Sequence, residues 1–429
     1  SFPTRRSSDL TSSVGQFIER TTVFNMPLES RRTAGLVKLM GMVAFREETG
    51  AEQVPMFSMA GGRSQNQIWV LDGGNVQNTT LGVPQLQLNP PAESLQEFKA
   101  EANNYSAEFG RTGGGLIQMT TRSGSNEFHG AAYEFLRNQA LDTRTFFAQS
   151  KAPLRYNIFG ASFGGPIRRD KTFFFANYEG ARRRDGSTIA NTIVPRPAEV
   201  QGDFSARTGF SLIDPLNRQP FAGNIIPQSR IDPVARAFAA FYPAPNVASD
   251  PTRAPAANYI VNVSDKLTQD MGTLKVDHNI GNSDRISGRY SIIKAPQELS
   301  AVYPNAFADL RGGPRDHRIH NLVGTWIHSF SATFLNEFRY NYATRRFINR
   351  SLGTDSGKNG ELGLKGVSAT DFPQLIATGQ SNLGVLPVER IQDPILTHQW
   401  VNNLTWIRGN HSIKFGGEWM RLTFLQIFL

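Results

Sequence analysis

Residues 274–291, LKVDHNIGNSDRISGRYS, contain two short segments in which apolar and polar residues alternate, separated by a turn. In the first segment the apolar Leu274 is followed by the charged Lys275, and in the second the charged Arg289 is followed by Tyr290. Because successive side chains of a strand point to opposite faces, each segment predicts a strand with one apolar and one polar face. The intervening GNSD is typical of a tight turn, so the stretch predicts two antiparallel neighbours.

The same alternation recurs from residue 128 to residue 421. The predicted strands are residues 128–136, 156–166, 172–180, 269–280, 285–294, 317–330, 335–345, 396–407 and 412–421. Their connections alternate between tight turns and long loops, and the long ones are residues 181–266, 295–316 and 347–395. Such loops are unusual in compact soluble domains, whereas transmembrane β-barrels have short periplasmic turns and long external loops. The pattern predicts a mainly β chain that includes an incomplete antiparallel transmembrane β-barrel.

Charged residues fall on one parity within each of these strands. A charge on the lipid face costs roughly 2–4 kcal/mol at the bilayer midplane, so we expect these charges to face the lumen. The predicted lumen-facing residues are Lys275, Asp277, Arg289, Glu337, Arg339, Lys414 and Glu418. Aromatic residues near strand ends suit interfacial girdles, and these are Trp400, Trp406, Trp419 and Tyr342. A soluble β-sandwich or β-propeller also alternates and stays an alternative on pattern alone.

Composition excludes several classes of protein. The 429 residues have a mean hydropathy of −0.35 and contain no apolar run of the length that a transmembrane helix needs. There is no Cys, which excludes disulfides, thiolate catalysis and Cys-ligated metals. The net charge of +9 is compatible with nucleic acid, with lipid phosphates or with an ordinary solvated surface. The same alternatives apply to Arg182-Arg183-Arg184, which begins the first predicted long loop.

The two ends of the chain have unusual features. Residues 1–10, SFPTRRSSDL, resemble the translation of a sequencing adapter, so we predict an assembly scar without packed contacts. The chain stops at Phe428-Leu429, just after a predicted strand. We therefore expect a fragment in which both natural ends are missing.

Residues 11–122 predict a small α+β domain separate from the barrel wall. A buried-strand run, IWVL at 68–71, leads into the turn Asp72-Gly73-Gly74, and LIQMTT at 116–121 predicts a further strand. A helix-like stretch covers residues 33–42. Because Gly, Pro or a change of period interrupts the region every few residues, its strands are not expected to join the wall.

Three patterns that could carry chemistry are weak. Residues 160–164, GASFG, match the GxSxG nucleophile pattern around Ser162, but no helix follows to form the required elbow. Gly113–Gly115 lacks the Lys-Ser/Thr of a phosphate loop. His317 and His320 fall on opposite faces of one strand, which is wrong for a shared metal ion. We therefore predict no catalytic residue, no cofactor and no metal site.

Several long motifs occur in an order that resembles a known family. In the first part they are VLDG (70–73), SLQEFKA (94–100), YSAEFG (105–110) and GGGLIQMTTRSG (113–124). In the second they are NEFHGAAYEFLRNQALDTRTFF (126–147), NIFGASFGGPIRRDKTFFFANYEG (157–180), NIIPQSRIDPVARAFAAFYPAPN (224–246) and residues 274–291. The first set is similar to the plug domain of TonB-dependent outer-membrane receptors, and the second is similar to their Oar-like subgroup.

This resemblance implies a plug domain at 11–122 followed by the N-terminal part of a barrel at 123–429, in a family whose barrels have 22 strands. It also implies a Gram-negative outer-membrane location and active uptake through TonB. The N-terminal box that contacts TonB is not found here. Expected partners are TonB, outer-membrane lipid and an unidentified solute, without nucleic acid. Plug residues expected to make polar contacts with the lumen are Arg63, Asp72, Arg111 and Arg122, the arginines with carboxylates such as Glu337 and Glu418.

Three functions are compatible with these observations. The first is a TonB-dependent import receptor, which is not an enzyme. The second is an outer-membrane barrel used for adhesion or surface display, with no transport. The third is a soluble β-rich hydrolase that uses Ser162. Fold does not determine the ligand, so the sequence leaves the transported solute open.

Overall fold

A computed structural model gives the structure of most of the chain. It describes residues 14–19, 22–23, 31–41, 43–49, 54–59, 61–63, 66–78, 85–86, 88–110, 112–143, 151, 153–254, 256–368, 370–384 and 392–424. The predicted scar at 1–10 lies outside these residues. Within them, no helix combines the length and the apolar character needed to cross a membrane.

The first part of the chain folds around a small mixed sheet. Its strands are β1 Val14–Glu19, β2 Val43–Thr49, β3 Val54–Met59, β4 Ile68–Leu71, β5 Gly74–Asn75, β6 Gln77–Asn78, β7 Gln85–Leu86, β8 Leu95–Asn103 and β9 Leu116–Thr121. Five form one sheet in the order β1-β8-β9-β4-β5, with β4 and β9 parallel. β2 pairs with β3 and β6 with β7. Short 3-10 helices cover Thr33–Leu39 and Ala92–Ser94. We call the described residues up to Arg122 the N-terminal domain.

The second part of the chain is one antiparallel sheet of nine strands, here called the wall. The strands are β10 His129–Asn138, β11 Leu154–Arg168, β12 Thr172–Thr192, β13 Tyr259–Ile280, β14 Asp284–Leu299, β15 Gly313–Ser331, β16 Phe334–Asn349, β17 Gln392–Arg408 and β18 His411–Phe424. Each strand pairs with the next in chain order, and β10 and β18 occupy the two ends of the sheet. The wall is therefore an open section of an up-and-down barrel.

The N-terminal domain packs against one face of the wall without sharing a ladder with it. Buried apolar residues of the domain, such as Leu36 and Phe98, belong to the same core as Met271, Ile293 and Ile319 of the wall. The domain's strands belong to sheets other than the nine-stranded one, as expected for residues 68–71 and 116–121. The wall therefore has an inner face towards the domain and an opposite outer face.

All nine predicted wall strands are present, and all were predicted too short, β12 and β13 by the most. β12 continues to Thr192 and β13 begins at Tyr259, so the first long connection is 193–258 rather than 181–266. Arg182-Arg183-Arg184 lies inside β12, and its prediction as the start of a loop is wrong. Charged residues are tolerated there because the strand has passed beyond the apolar part of the wall. The other long connections are 300–312 and 350–391.

The three long connections pack together into one structure, here called the loop cap. It contains the helices α1 Pro197–Val200, α2 Pro233–Ala239 and α3 Lys358–Leu362 and 3-10 turns at Ala222–Asn224, Gln228–Arg230 and Ala306–Ala308. Phe238 of the first connection, Phe307 of the second and Phe372 of the third pack in one aromatic cluster, with ring centroids 5.4–5.5 Å apart. The connections therefore have a hydrophobic core of their own.

The connection lengths predict the orientation of the wall and give a first testable prediction. Short turns lie on the periplasmic side of such barrels, so we expect the loop cap to be external and the turn at 281–283 to be periplasmic. In intact cells that make the full-length protein, Ser229→Cys should react with an impermeant maleimide. Asn282→Cys should react only after the outer membrane is opened. Both residues are exposed, and the 429 residues contain no other Cys. The reverse labelling pattern would invert the topology.

Candidate functional site: the contact between the N-terminal domain and the wall

The turn Asp72-Gly73 joins β4 to β5 and brings the backbone of the N-terminal domain against the wall. Asp72 has φ 48° and Gly73 has φ 77°, the left-handed pair of a two-residue hairpin turn. A Cβ added at Gly73 would overlap the guanidinium of Arg339, and one at Gly74 would lie 2.7 Å from Asn341 Oδ1. The two glycines therefore leave room for Arg339 and Asn341, which a larger residue would force to move.

Asp72 is the acceptor at the centre of this contact. Its Oδ2 lies 2.6 Å from Arg289 Nε, and its Oδ1 lies 3.5 Å from Lys275 Nζ. Thr121 donates its backbone N–H to Oδ1 at 2.9 Å and its hydroxyl to Oδ2 at 2.7 Å. Burial raises the pKa of Asp72, but the charges of Arg289 and Lys275 and the Thr121 hydrogen bonds outweigh it and hold that pKa below its usual value. The carboxylate is therefore ionised at neutral pH.

Arg289 is the largest of the fully buried side chains among the described residues, at 2% exposure. Besides Asp72, it donates to Ser291 Oγ at 2.8 Å and to Asn321 Oδ1 at 2.6 Å. Lys275 donates to the carbonyl of Thr121 at 3.1 Å. A buried cation without its partner is strongly destabilising, so Arg289 and Asp72 depend on each other.

A chain of side-chain amides extends the contact across β15, β16 and β17. Asn321 donates to Asn341 Oδ1 at 2.8 Å, and Asn341 donates to the carbonyl of Asn75 at 3.0 Å. Gln399 Oε1 accepts from the backbone N–H of Asn75 at 2.9 Å. The edge strand β5 of the domain is thus hydrogen-bonded to wall side chains rather than to a wall strand.

A second attachment lies at β12 and β13. Arg32 of the N-terminal domain donates to Glu179 at 2.6 Å and to Gln269 at 2.7 Å. Tyr133 of β10 donates to the same Glu179 at 3.1 Å. None of these residues was predicted. Glu179 falls on the inner parity of β12, and that is the signal that could have identified it.

The predicted contacts of the N-terminal domain are only partly as expected. Asp72 does contact the wall, where it pairs with the cations Arg289 and Lys275. The domain arginine that pairs with a wall carboxylate is Arg32, which was not among the predicted residues. Arg122 donates to Ser162 Oγ at 3.4 Å and stacks over Phe175 at 4.9 Å. Arg63 is exposed, and Arg111 lies outside the described residues.

The predicted lumen residues all fall on the inner parity of their strands, although their partners differ from those predicted. Glu337 pairs with Arg339 of its own strand, and Arg339 donates to the carbonyl of Gly73 at 3.1 Å. Glu418 accepts from Gln399 at 3.3 Å. The remaining contacts are Asp277 with Arg285 at 3.8 Å and Lys414 with Glu108 of the domain at 2.9 Å.

A cavity of about 360 Å³ lies between the Asp72 turn and the half of the wall that carries the short turns. Its lining carries both signs of charge: Asp72, Glu108, Asp277 and Glu337, with Lys275, Arg285, Arg339 and Lys414. A polar cavity of this size has room for water. The contact is therefore polar on the side of the short turns, whereas its apolar part involves Met271, Ile293 and Ile319.

The weak motifs have structural roles. Ser162 is buried in the middle of β11, which continues as a strand to Arg168, so no nucleophile elbow is present there. His317 packs on Phe347 at 4.0 Å on the inner face, while His320 bonds Tyr290 at 2.6 Å on the outer face. Among the residues that the structure describes, no group of His, Asp or Glu side chains has the arrangement of a metal site.

Comparison with known proteins agrees with this architecture. A family model described as "Outer membrane beta barrel domain" matches residues 120–428. The TonB-dependent transporter Oar of Myxococcus xanthus is 35% identical over 129 residues, which are 28% of this chain and 12% of that protein.

Solved structures show the same fold. The outer membrane transporter YddB of Escherichia coli aligns with a TM-score of 0.57 and 12% identity over 95% of this chain and 48% of that one. A mutant of the ferric enterobactin receptor PfeA of Pseudomonas aeruginosa gives 0.53 and 11% over 96% and 49%. The chain thus spans about half the length of these structures.

The ion pair at the centre of the contact gives a second prediction. Asp72→Asn should weaken the attachment of the N-terminal domain by about 3–5 kcal/mol, because Arg289 stays buried without a counter-charge. In full-length protein in detergent, the domain should become cleavable by trypsin at lower urea while the wall stays resistant. Asp142→Asn is the control, since its pair with Arg137 is largely exposed and contributes little.

Adding Arg289→Gln to Asp72→Asn should restore part of the loss, because the double variant no longer buries an unpaired charge. Equal urea midpoints for Asp72→Asn, Asp142→Asn and the unmodified protein would contradict the role of the pair.

The close approach of the turn gives a third prediction. Gly73→Ala should displace the N-terminal domain, since its methyl group would overlap Arg339. Gly61→Ala is a matched control, because Gly61 also has φ 77° and nothing lies within 4 Å of its added Cβ. Both variants carry the same backbone strain. Only Gly73→Ala should increase hydrogen exchange of β4 and β9, and an equal increase in both variants would show that strain alone is responsible.

Proposed function

This chain belongs to the outer membrane beta-barrel domain family, and we propose that it forms the plug and part of the wall of a TonB-dependent transporter that imports a solute. The family consists of outer-membrane barrels, so the protein resides in the Gram-negative outer membrane and is not an enzyme. Our proposal concerns three properties: that the protein transports a solute, that the solute moves inward and that transport depends on TonB.

The observation that supports the proposal best is the polar attachment of the N-terminal domain to the inner face of the wall. A domain meant to stay permanently could be held by strand pairing or by an entirely apolar contact. Here Asp72, Arg339 and Asn341 make side-chain contacts that water can replace once the domain moves. Such a contact is firm at rest and reversible when a force acts on it.

The cavity next to the Asp72 turn fits the same role. Its eight charged lining residues give a displaced domain other partners of either sign. Arg289 and Lys275 would meet water and neighbouring carboxylates rather than an apolar surface, which lowers the cost of separating them from Asp72. We infer that a pull from the periplasm releases this side of the domain first.

The loop cap supplies the external part of the proposal. It lies on the side from which an imported solute arrives, and its aromatic cluster holds the three connections together. A barrel used only for adhesion or display would explain the cap equally well. It would not explain a domain attached to the inner face, and for this reason transport is the better proposal.

TonB contact gives the fourth prediction and separates transport from display. We expect the full-length protein in detergent to be retained by an immobilised periplasmic domain of TonB, through a segment that precedes the plug. A variant that begins at residue 11 should not be retained, although it keeps the N-terminal domain and the wall. Failure of the full-length protein to bind, with a folded TonB domain confirmed by another receptor, would favour the display function.

A further inference from the structure

The outer face of β12–β18 has a sharp boundary between uncharged and charged residues. On β12–β18, the outward-facing positions from the second to the ninth residue beyond the periplasmic end of each strand contain no Asp, Glu, Lys or Arg. At about 3.4 Å per residue and a tilt of about 40°, these eight residues rise roughly 20 Å, close to the height of about 25 Å of the apolar band of such barrels. Charges beyond it therefore lie at the level of the external lipid headgroups.

Basic residues dominate this level on five successive strands. The outward-facing residues Arg182, Arg184, Lys266, Lys294, Arg318 and Arg346 lie ten to fourteen residues beyond the periplasmic ends of β12–β16. We call these six residues the basic belt. Five of them are exposed, and Arg182 is half-buried. Arg155 of β11 and Arg421 of β18 extend the belt on either side.

The acidic residues at the same level do not balance the belt. Asp270 pairs with Arg182 at 2.8 Å, Glu298 with Lys266 at 2.8 Å, and Asp316 with Arg318 at 2.9 Å. Each of these carboxylates thus already has a basic partner. The belt keeps an excess of positive charge on a surface that faces lipid headgroups.

The register of the strands places several of these basic residues directly beside one another. Lys294 is directly opposite Arg318, and Arg318 is directly opposite Arg346. Directly opposed like charges destabilise a sheet. Among the described residues, Asp270 opposite Lys294 and Asp316 beside Arg318 offset part of this repulsion, but each also pairs with or faces another cation of the belt. An anion that bridges neighbouring strands would turn the repulsion into attraction.

We propose that the basic belt binds the phosphate groups of the phosphorylated glycolipid that forms the outer leaflet of this membrane. Arginine binds phosphate in a bidentate geometry, and several cations in one row match a headgroup with more than one phosphate. Trp400 and Trp419 stack at 4.6 Å eight residues from the periplasmic ends of β17 and β18, just below the belt. They mark the interface at which the headgroups begin. The inference needs only the outer-membrane position of the wall and is independent of transport.

The test compares two triple variants of the full-length protein in detergent. The belt variant is Lys294→Gln, Arg318→Gln and Arg346→Gln. The matched control removes three exposed charges from the loop cap, as Arg218→Gln, Arg236→Gln and Arg253→Gln. Each protein is titrated with bisphosphorylated lipid A, with dephosphorylated lipid A and with phosphatidylglycerol, and binding is measured by native mass spectrometry. Heat-modifiable migration in gels confirms that each variant has assembled.

The unmodified protein and the loop-cap control should bind bisphosphorylated lipid A more tightly than the other two lipids. The belt variant should bind it at least tenfold more weakly, since each cation near an anionic surface contributes about fivefold. The proposal is overturned if the belt variant binds like the control, or if dephosphorylated lipid A binds the unmodified protein equally well. Equal binding of phosphatidylglycerol would show a general anionic-lipid surface and overturn it too.

If the belt variant does not assemble, the salt dependence of lipid binding is measured on the unmodified protein instead. Its binding of bisphosphorylated lipid A should weaken as sodium chloride rises from low to physiological concentration and above, because exposed charges are screened. Binding that does not change with salt would overturn the proposal. The single variant Arg346→Gln should then lower the affinity for bisphosphorylated lipid A several-fold. An unchanged affinity would also overturn the proposal.

Discussion

A strand that crosses a bilayer has one face in hydrocarbon, and this constraint determines the rest of the structure. Hydrocarbon offers no partner for a charge, so the outer positions of β12–β18 carry no Asp, Glu, Lys or Arg over the height of the membrane, whereas the inner positions carry most of the polar groups. The inner face is therefore polar enough to hold a separate domain by side-chain contacts. The outer face becomes charged only where the strands leave the apolar layer.

The same constraint explains how the N-terminal domain is held. The backbone N–H and C=O groups of neighbouring wall strands are hydrogen-bonded to one another. The wall therefore binds the domain through its side chains. Arg289 contacts Asp72, and Asn341 donates a hydrogen bond to the backbone of β5, which is the edge strand of the domain's sheet. Burying a polar side chain costs desolvation free energy, and this cost is offset only if the side chain forms well-aligned hydrogen bonds or ion pairs. The glycines of the turn provide that geometry by allowing the backbone to touch the wall.

The sequence predicted the wall well because its signal is local and repeated. Nine strands, the parity of Lys275 and Arg289 and a turn at Asp72-Gly73-Gly74 all follow from period-2 alternation and turn chemistry. The ends of β12 and β13 could not be predicted from the same rule, because alternation of charge with charge, as in Arg182-Arg183-Arg184, looks like a solvated loop. The partners across the contact depend on how the domain is placed, which no local pattern encodes. Arg63, Arg111 and Arg122 were therefore predicted to pair with wall carboxylates, whereas the structure pairs Arg32 with Glu179 and Asp72 with wall cations.

The loop cap follows from strands that continue beyond the membrane. Because β12 and β13 extend past the apolar layer, they carry the 193–258 connection away from the surface and place Val194 and Tyr259 in the same core as Phe238 and Phe372. Moving one connection alone would expose aromatic surface that the others now cover, at a cost of about 25 cal/mol for each Å². The connections are therefore expected to move together. Under the proposed function, a solute from outside would pass beside the cap or displace it as one body, and the N-terminal domain beneath it would be the second barrier.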